Sequence, residues 1–172
     1  MKYGLKILLA TLSMLFLFSA AVFASEGYPV MSREDFERWP DIPEYSELNP
    51  FPYKGSNCTW YAHGRMLQLG YCNDALNTML SNAGEWADDA ANGAVVSDNP
   101  EPGAIAFWDG DAEFGGAFGY LGHVGVVEEV RDNGSILVSD SSSSGDNYNV
   151  RVFNRGDRRW PTAFIIVPKR GE

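Results

Sequence analysis

The hydrophobic pattern of this chain changes character three times. Residues 7–18 are almost wholly apolar, follow Lys2 and Lys6, and give way to small residues ending at Val22-Phe23-Ala24. A cationic start, a short apolar stretch and an A-x-A-like end predict a secretory signal peptide over residues 1–24. The apolar stretch falls short of the roughly 20 residues a spanning helix needs, so no stable membrane insertion is expected after cleavage. Residues 25–45 form a lead-in rich in Pro and Glu, and X-Pro pairs recur from Tyr28-Pro29 and Trp39-Pro40 as far as Phe51-Pro52. Each residue before a proline is pushed toward extended backbone, which argues against a long helix. The aromatics among them predict that part of the lead-in packs on the domain rather than serving as a linker.

Helical periodicity begins at Asn57 or Cys58. Ala62, Met66 and Leu69 recur on one face with Tyr61 beside them, and Gly70 supplies a stop. A second helical stretch covers about residues 84–91 and ends at Asn92-Gly93. After Pro102 the period shortens, and residues 104–108, 123–130, 135–140, 149–153 and 163–167 read as strands. Asp132-Asn133-Gly134 marks a hairpin between the second and third of them. Helices first and antiparallel strands afterwards predict an α+β domain over residues 46–170, with N-terminal helices packed on a small sheet.

Composition narrows the partners. Without residues 1–24 the chain keeps 148 residues, enough for one core, and loses two cations and no acid, so its formal charge moves from −10 to −12. Nucleic-acid binding leans on clustered Lys and Arg, so no nucleic acid is expected. The expected state is a secreted or periplasmic monomer without a cofactor.

The two cysteines admit a disulfide, which is common in exported chains. A helix over 58–69 would hold Cys58 and Cys72 up to about 20 Å apart at 1.5 Å per residue, against the roughly 7 Å between Cα atoms that a disulfide tolerates. Two free thiols are expected, with Cys72 a packed side chain. Cys58 sits at a loop-to-helix junction, where the helix dipole favours a thiolate, the form of the residue that attacks carbonyls. Of the two histidines, His63 falls on another helix face and reads as a surface residue. His123 stands at the mouth of a strand between Gly122 and Gly125, with room around its ring for a substrate backbone, and is the candidate base. Asp140 ends the next strand and is the candidate for orienting it. A two-residue turn puts Val127 opposite Asp140, on the face of His123 but four residues, about 13 Å, along the strand. A four-residue turn puts Asp140 opposite Gly125 and Ser142 opposite His123. Both registers remain open at this level.

Three ordered motifs, Asn57-Cys58-Thr59-Trp60-Tyr61, Pro102-Gly103-Ala104-Ile105-Ala106-Phe107-Trp108 and Gly122-His123-Val124-Gly125-Val126-Val127, resemble the CHAP domain family of cysteine- and histidine-dependent amidohydrolases/peptidases. The resemblance covers about residues 46–168. It implies a papain-like fold, Cys58 as nucleophile, His123 as base, and Asp140 as third residue where glutamate is more usual. The asparagine that commonly follows two positions later is Ser142 here. It also implies a peptidoglycan or peptide substrate, cleaved as by an N-acetylmuramoyl-L-alanine amidase or an endopeptidase through a thioester, or else a non-catalytic binding module on the same fold. Asn57, Trp108 and Ser142 are candidates for substrate or oxyanion contacts. Some members bind calcium through acidic loops, but Asp109, Asp111 and Glu113 read as solvated acids and no metal is expected.

Overall fold

The structure, a computed structural model, describes residues 27–41, 47–52, 55–110, 120–142 and 147–171. The signal peptide expected over residues 1–24 lies outside the described residues.

Helix α1 (Arg33–Arg38) is followed by a short 3₁₀ turn at Trp39–Asp41. Helix α2 (Cys58–Gln68) is the main helix and is buried from Thr59 to Leu67. Its start is set by Asn57, whose extended backbone and side-chain oxygen accept the first helical turn, with Thr59 N–H donating at 2.9 Å. Its end is set by Gly70 at φ 84°, a conformation that suits glycine. Two short helices follow, α3 (Asn73–Leu76) and α4 (Trp86–Asp89). Six strands form one sheet: β1 (Val95–Ser97), β2 (Ile105–Trp108), β3 (His123–Val130), β4 (Ile136–Ser141), β5 (Tyr148–Phe153) and β6 (Ala163–Ile166), in the order β1-β6-β2-β3-β4-β5. All pairings are antiparallel. The α+β architecture with helices on one small antiparallel sheet is therefore present. Short α3 and the three-residue edge strand β1 had no legible period in the sequence.

Alternation divides the sheet into two cores. Val124, Val126, Ile105, Phe107 and Ile165 face α2 and pack with Ala62, Met66 and Leu67. Ala104, Ala106, Trp108, Val127, Ile136 and Val138 face the other way and pack with Phe153 and Phe164. A third cluster joins the lead-in to the domain: Met31, Phe36 and Trp39 bury against Trp60, Tyr61 and Tyr148. The Phe36 and Tyr148 rings stack at 4.9 Å. The lead-in aromatics thus belong to the folded body.

One buried ion pair ties α2 to the sheet. Arg65 donates from Nε to Glu128 Oε1 at 2.9 Å and from Nη2 to Oε2 at 2.8 Å, both side chains being essentially inaccessible. Ser139 Oγ donates to the same carboxylate at 2.6 Å, and Tyr61 OH donates to Ser139 Oγ at 2.9 Å. Glu128 is also where β3 bulges. The pairing runs Val130↔Ile136 and Glu129↔Leu137, then skips to Val127↔Val138 and Val126↔Ser139. The hairpin itself has a three-residue loop, with Arg131 N–H bonded to Ser135 O and Gly134 at φ 78°. Neither the two-residue nor the four-residue turn considered from sequence occurs. A three-residue loop alone would put Asp140 opposite Val126, on the α2 face. The extra residue at Glu128 shifts the count by one and returns Asp140 to the opposite face, the one His123 occupies.

His63 is not a surface residue. It is fully buried, its Nε2 lies 3.1 Å from Asn77 Oδ1, and its ring meets Phe51 edge-on at 5.9 Å. The helix face opposite the sheet is covered by α3 and by the chain around Phe51, which the sequence did not reveal as a cover. Burial disfavours the imidazolium, and the hydrogen bond to Asn77 only partly opposes that, so its pKa falls to about 4.

Two outcomes follow. Arg65→Met should lose about 3 kcal/mol in urea unfolding because it strands a buried carboxylate, while Arg65→Met with Glu128→Leu should recover most of that loss. For His63, the unfolded chain binds a proton near pH 6.5 and the folded chain only near 4. Its contribution is therefore intact above the higher value and lost as pH falls through that window, by roughly 3 kcal/mol. His63→Gln should flatten this part of the acid-stability profile.

Candidate active site

Cys58 is the first residue of α2, half-buried, with a free thiol, as is Cys72. Its sulfur faces His123 and the backbone N–H groups of Val124 and Thr59. Burial alone would raise the thiol pKa. The His123 ring and its charge, with the two N–H donors, outweigh burial and hold it below the ordinary value.

His123 opens β3 and is almost fully buried. Burial favours the neutral ring, but the Asp140 carboxylate and the Cys58 sulfur beside it favour the imidazolium and push its pKa up to about 9. Nε2 lies 3.7 Å from Asp140 Oδ1. That orientation leaves Nδ1 for the Cys58 sulfur. The separation exceeds a formed hydrogen bond, as is common in resting sites that tighten on substrate. Asp140 itself is fully buried. Asn149 Nδ2 donates to its Oδ1 at 3.1 Å, and Arg151 Nη1 lies 3.5 Å from its Oδ2.

Sequence reasoning missed Asn149 and Arg151. The amide absent at Ser142 is present from the next strand, where Asn149 pairs directly with Asp140. The signal was the alternation Asn149, Arg151, Phe153, whose last member faces the second core. Without the β4–β5 register, that pattern does not reveal which acid the first two meet.

The other candidates are distributed differently. Trp108 does not line an open cleft: it is fully buried, backs the His123 ring at 5.5 Å, and donates from Nε1 to Arg159 O at 2.9 Å. Ser142 is half-buried just past β4, its N–H bonded to Asn147 O. The β3–β4 register, continued, sets it opposite His123 rather than between acid and base. Asn57 spends its side-chain oxygen on Thr59 N–H and Thr59 Oγ1, leaving its amide N–H groups as the available donors beside Cys58. The glycines flanking His123 allow close approach of the protein's own neighbours. A Cβ on Gly122, at φ 73°, would stand 2.4 Å from Gly84 Cα, and one on Gly125 would stand 2.7 Å from Val138 Cγ1 and 3.2 Å from Asp140 Cβ. Asp111 and Glu113 of the acidic loop lie outside the described residues. Among the described residues no group of three or more His, Cys, Asp or Glu side chains could hold a metal ion, and no helix is long and apolar enough to cross a membrane.

Known proteins resemble this chain in both sequence and shape. It is 41% identical over 96 residues to a probable autolysin LDP of Staphylococcus aureus, covering 55% of this chain and 30% of that one. It is 38% identical over 93 residues to the N-acetylmuramoyl-L-alanine amidase sle1 of Staphylococcus haemolyticus, covering 54% and 25%. A crystal structure of an N-acetylmuramoyl-L-alanine amidase from S. aureus superposes with a TM-score of 0.54 at 25% identity, covering 71% of this chain and 33% of that one. The chain thus spans a quarter to a third of the length of these relatives. The family model for the CHAP domain matches residues 48–142, more than half of the chain and the whole stretch from ahead of α2 to the end of β4. With Cys58 at the helix start, His123 at the head of β3 and Asp140 behind it, the chain belongs to the CHAP domain family.

Proposed function

We propose that this chain is an exported cysteine amidohydrolase/peptidase that cleaves an amide bond of peptidoglycan through a thioester, with Cys58 as nucleophile, His123 as general base and acid, and Asp140 as the residue that orients the ring. The observation that carries the reading is the Cys58–His123 pair, with the thiol pKa lowered and the imidazole pKa raised to about 9. Both shifts favour the thiolate–imidazolium form of the pair, and the thiolate is the form that attacks a carbonyl.

The steps follow from where the protons sit. Cys58 Sγ attacks the carbonyl carbon, and the resulting oxyanion meets the Cys58 backbone N–H, which as a first-turn helix donor has no intrahelical acceptor. The Asn57 amide is the second donor within reach of that position. His123 gives the proton on Nδ1 to the leaving nitrogen as the C–N bond breaks, leaving a thioester on Cys58 and a neutral ring. Water then attacks the thioester while His123 takes its proton, and the C–S bond breaks to release the acid and restore the ion pair. Asp140 keeps Nε2 turned inward throughout, so that Nδ1 faces the sulfur. The names of the amidases and autolysin resembling this chain support the wall as substrate. The apolar segment behind Lys2 and Lys6 supports export to a secreted or periplasmic location. The mature domain is taken to act as a monomer, without metal or cofactor.

Digestion of purified peptidoglycan by the mature chain, with the new termini identified by mass spectrometry, tests this. Free muropeptide amino termini at L-alanine would identify an amidase, and new termini within the stem or bridge an endopeptidase. Cys58→Ala and His123→Ala should abolish release, and Asp140→Asn should slow it about 10²-fold, all three without loss of the folded state. Binding to the wall with no new termini from the unmodified chain would contradict the reading.

A further inference from the structure

The fully buried Asp140 carboxylate faces more than the imidazole. Among the described residues, its Oδ1 is shared between His123 Nε2 at 3.7 Å and Asn149 Nδ2 at 3.1 Å, while its Oδ2 accepts no hydrogen bond and has Arg151 Nη1 as a cation at 3.5 Å. The charged groups around the carboxylate are therefore His123 from β3 and Arg151 from β5. Cys58 of α2 lies beyond the imidazole, and the indole of Trp108 from β2 packs on the ring. The β4–β5 register produces this arrangement: Asp140 pairs with Asn149 and Val138 with Arg151, so the guanidinium reaches diagonally along the strand to the acid. Arg151 is partly exposed, at 37% of its side chain, whereas the acid is sealed.

Such a placement has a consequence specific to a ring that gains and loses a proton in each turnover. A buried carboxylate beside an imidazolium has a countercharge. When the imidazolium gives its proton to a leaving amine that countercharge disappears, and an isolated buried anion is expensive. We propose that Arg151 is a positioning residue that supplies a standing countercharge to Asp140, so that the carboxylate keeps orienting His123 in both of the ring's protonation states. A guanidinium suits this because it does not deprotonate in proteins. By repelling the imidazolium as well, it makes proton release from His123 easier than Asp140 and Cys58 alone would allow. Asn149 complements it by holding Oδ1 in place without charge. The inference rests on the Cys58–His123–Asp140 reading above.

Arg151→Met and Arg151→Lys in the full chain test the idea through two independent readouts. The first is the titration of the His123 imidazole followed by NMR, which needs no substrate and so stands even if the chain cleaves nothing. Removing a cation this near should raise the His123 midpoint by about one pH unit, and Lys should restore most of the shift. The second is hydrolysis, where Met should lower kcat about tenfold with KM within about twofold, because proton release becomes harder by that same unit. Lys should recover most of the rate. An unmoved His123 titration in a folded Arg151→Met chain would overturn the proposal. So would a rise in KM alone, which would make Arg151 a substrate contact, or a Lys variant no better than Met.

Discussion

The buried pair between Arg65 and Glu128 is the constraint on which the rest of this structure depends. Arg65 lies on the helix that begins at Cys58, and Glu128 lies on the strand that begins at His123. The pair therefore fixes the two elements that carry Cys58 and His123 relative to one another. Its worth is geometric more than energetic, since a buried ion pair often stabilises no better than well-packed apolar residues. Glu128 is also the extra residue of the β3 bulge, with its carboxylate held by two Arg65 donors and by Ser139 Oγ. That bulge decides which face of β4 looks toward His123. Clamp and register are one feature, and Asp140 meets the imidazole because of it.

Around the clamp, charge is arranged in a line. Cys58 sits at the positive end of α2, His123 follows, then Asp140, then Arg151, so that the signs alternate when the thiol is ionised. Each member offsets the cost of burying its neighbour. This explains why burial, which alone would discharge both groups, leaves the thiol pKa lowered and the imidazole pKa raised. The backing indole of Trp108 and the close approach allowed by Gly122 and Gly125 keep the row compact. These glycines and that tryptophan pack against the His123 ring and its strand.

The sequence conveyed the first half of this line, Cys58 and His123, better than the second. The start of α2 and the span of β3 were readable because an N-cap followed by apolar periodicity, and an eight-residue Val-rich run, are local signals. The face of Asp140 was legible but its register was not, because a three-residue loop and a bulge each shift the pairing by one residue and together set Asp140 opposite Gly125. Nothing in Val127-Glu128-Glu129 announces a bulge until the Arg65 partner is known to lie above it. Asn149 and Arg151 were hidden for a similar reason, since their role comes from strand pairing and not from spacing. His63 was misread as exposed because its cover, from α3 and Phe51, has no periodic signature. Long-range pairing was the missing information in each case.

The most direct test of the resting thiolate–imidazolium pair is the pH dependence of Cys58 alkylation by iodoacetamide in a Cys72→Ser background. A resting thiolate–imidazolium pair gives rapid alkylation well below the ordinary thiol midpoint of about 8.5, and the midpoint returns to about that value or above when His123 is replaced by Ala. A single ordinary thiol titration, unchanged by loss of His123, would contradict it.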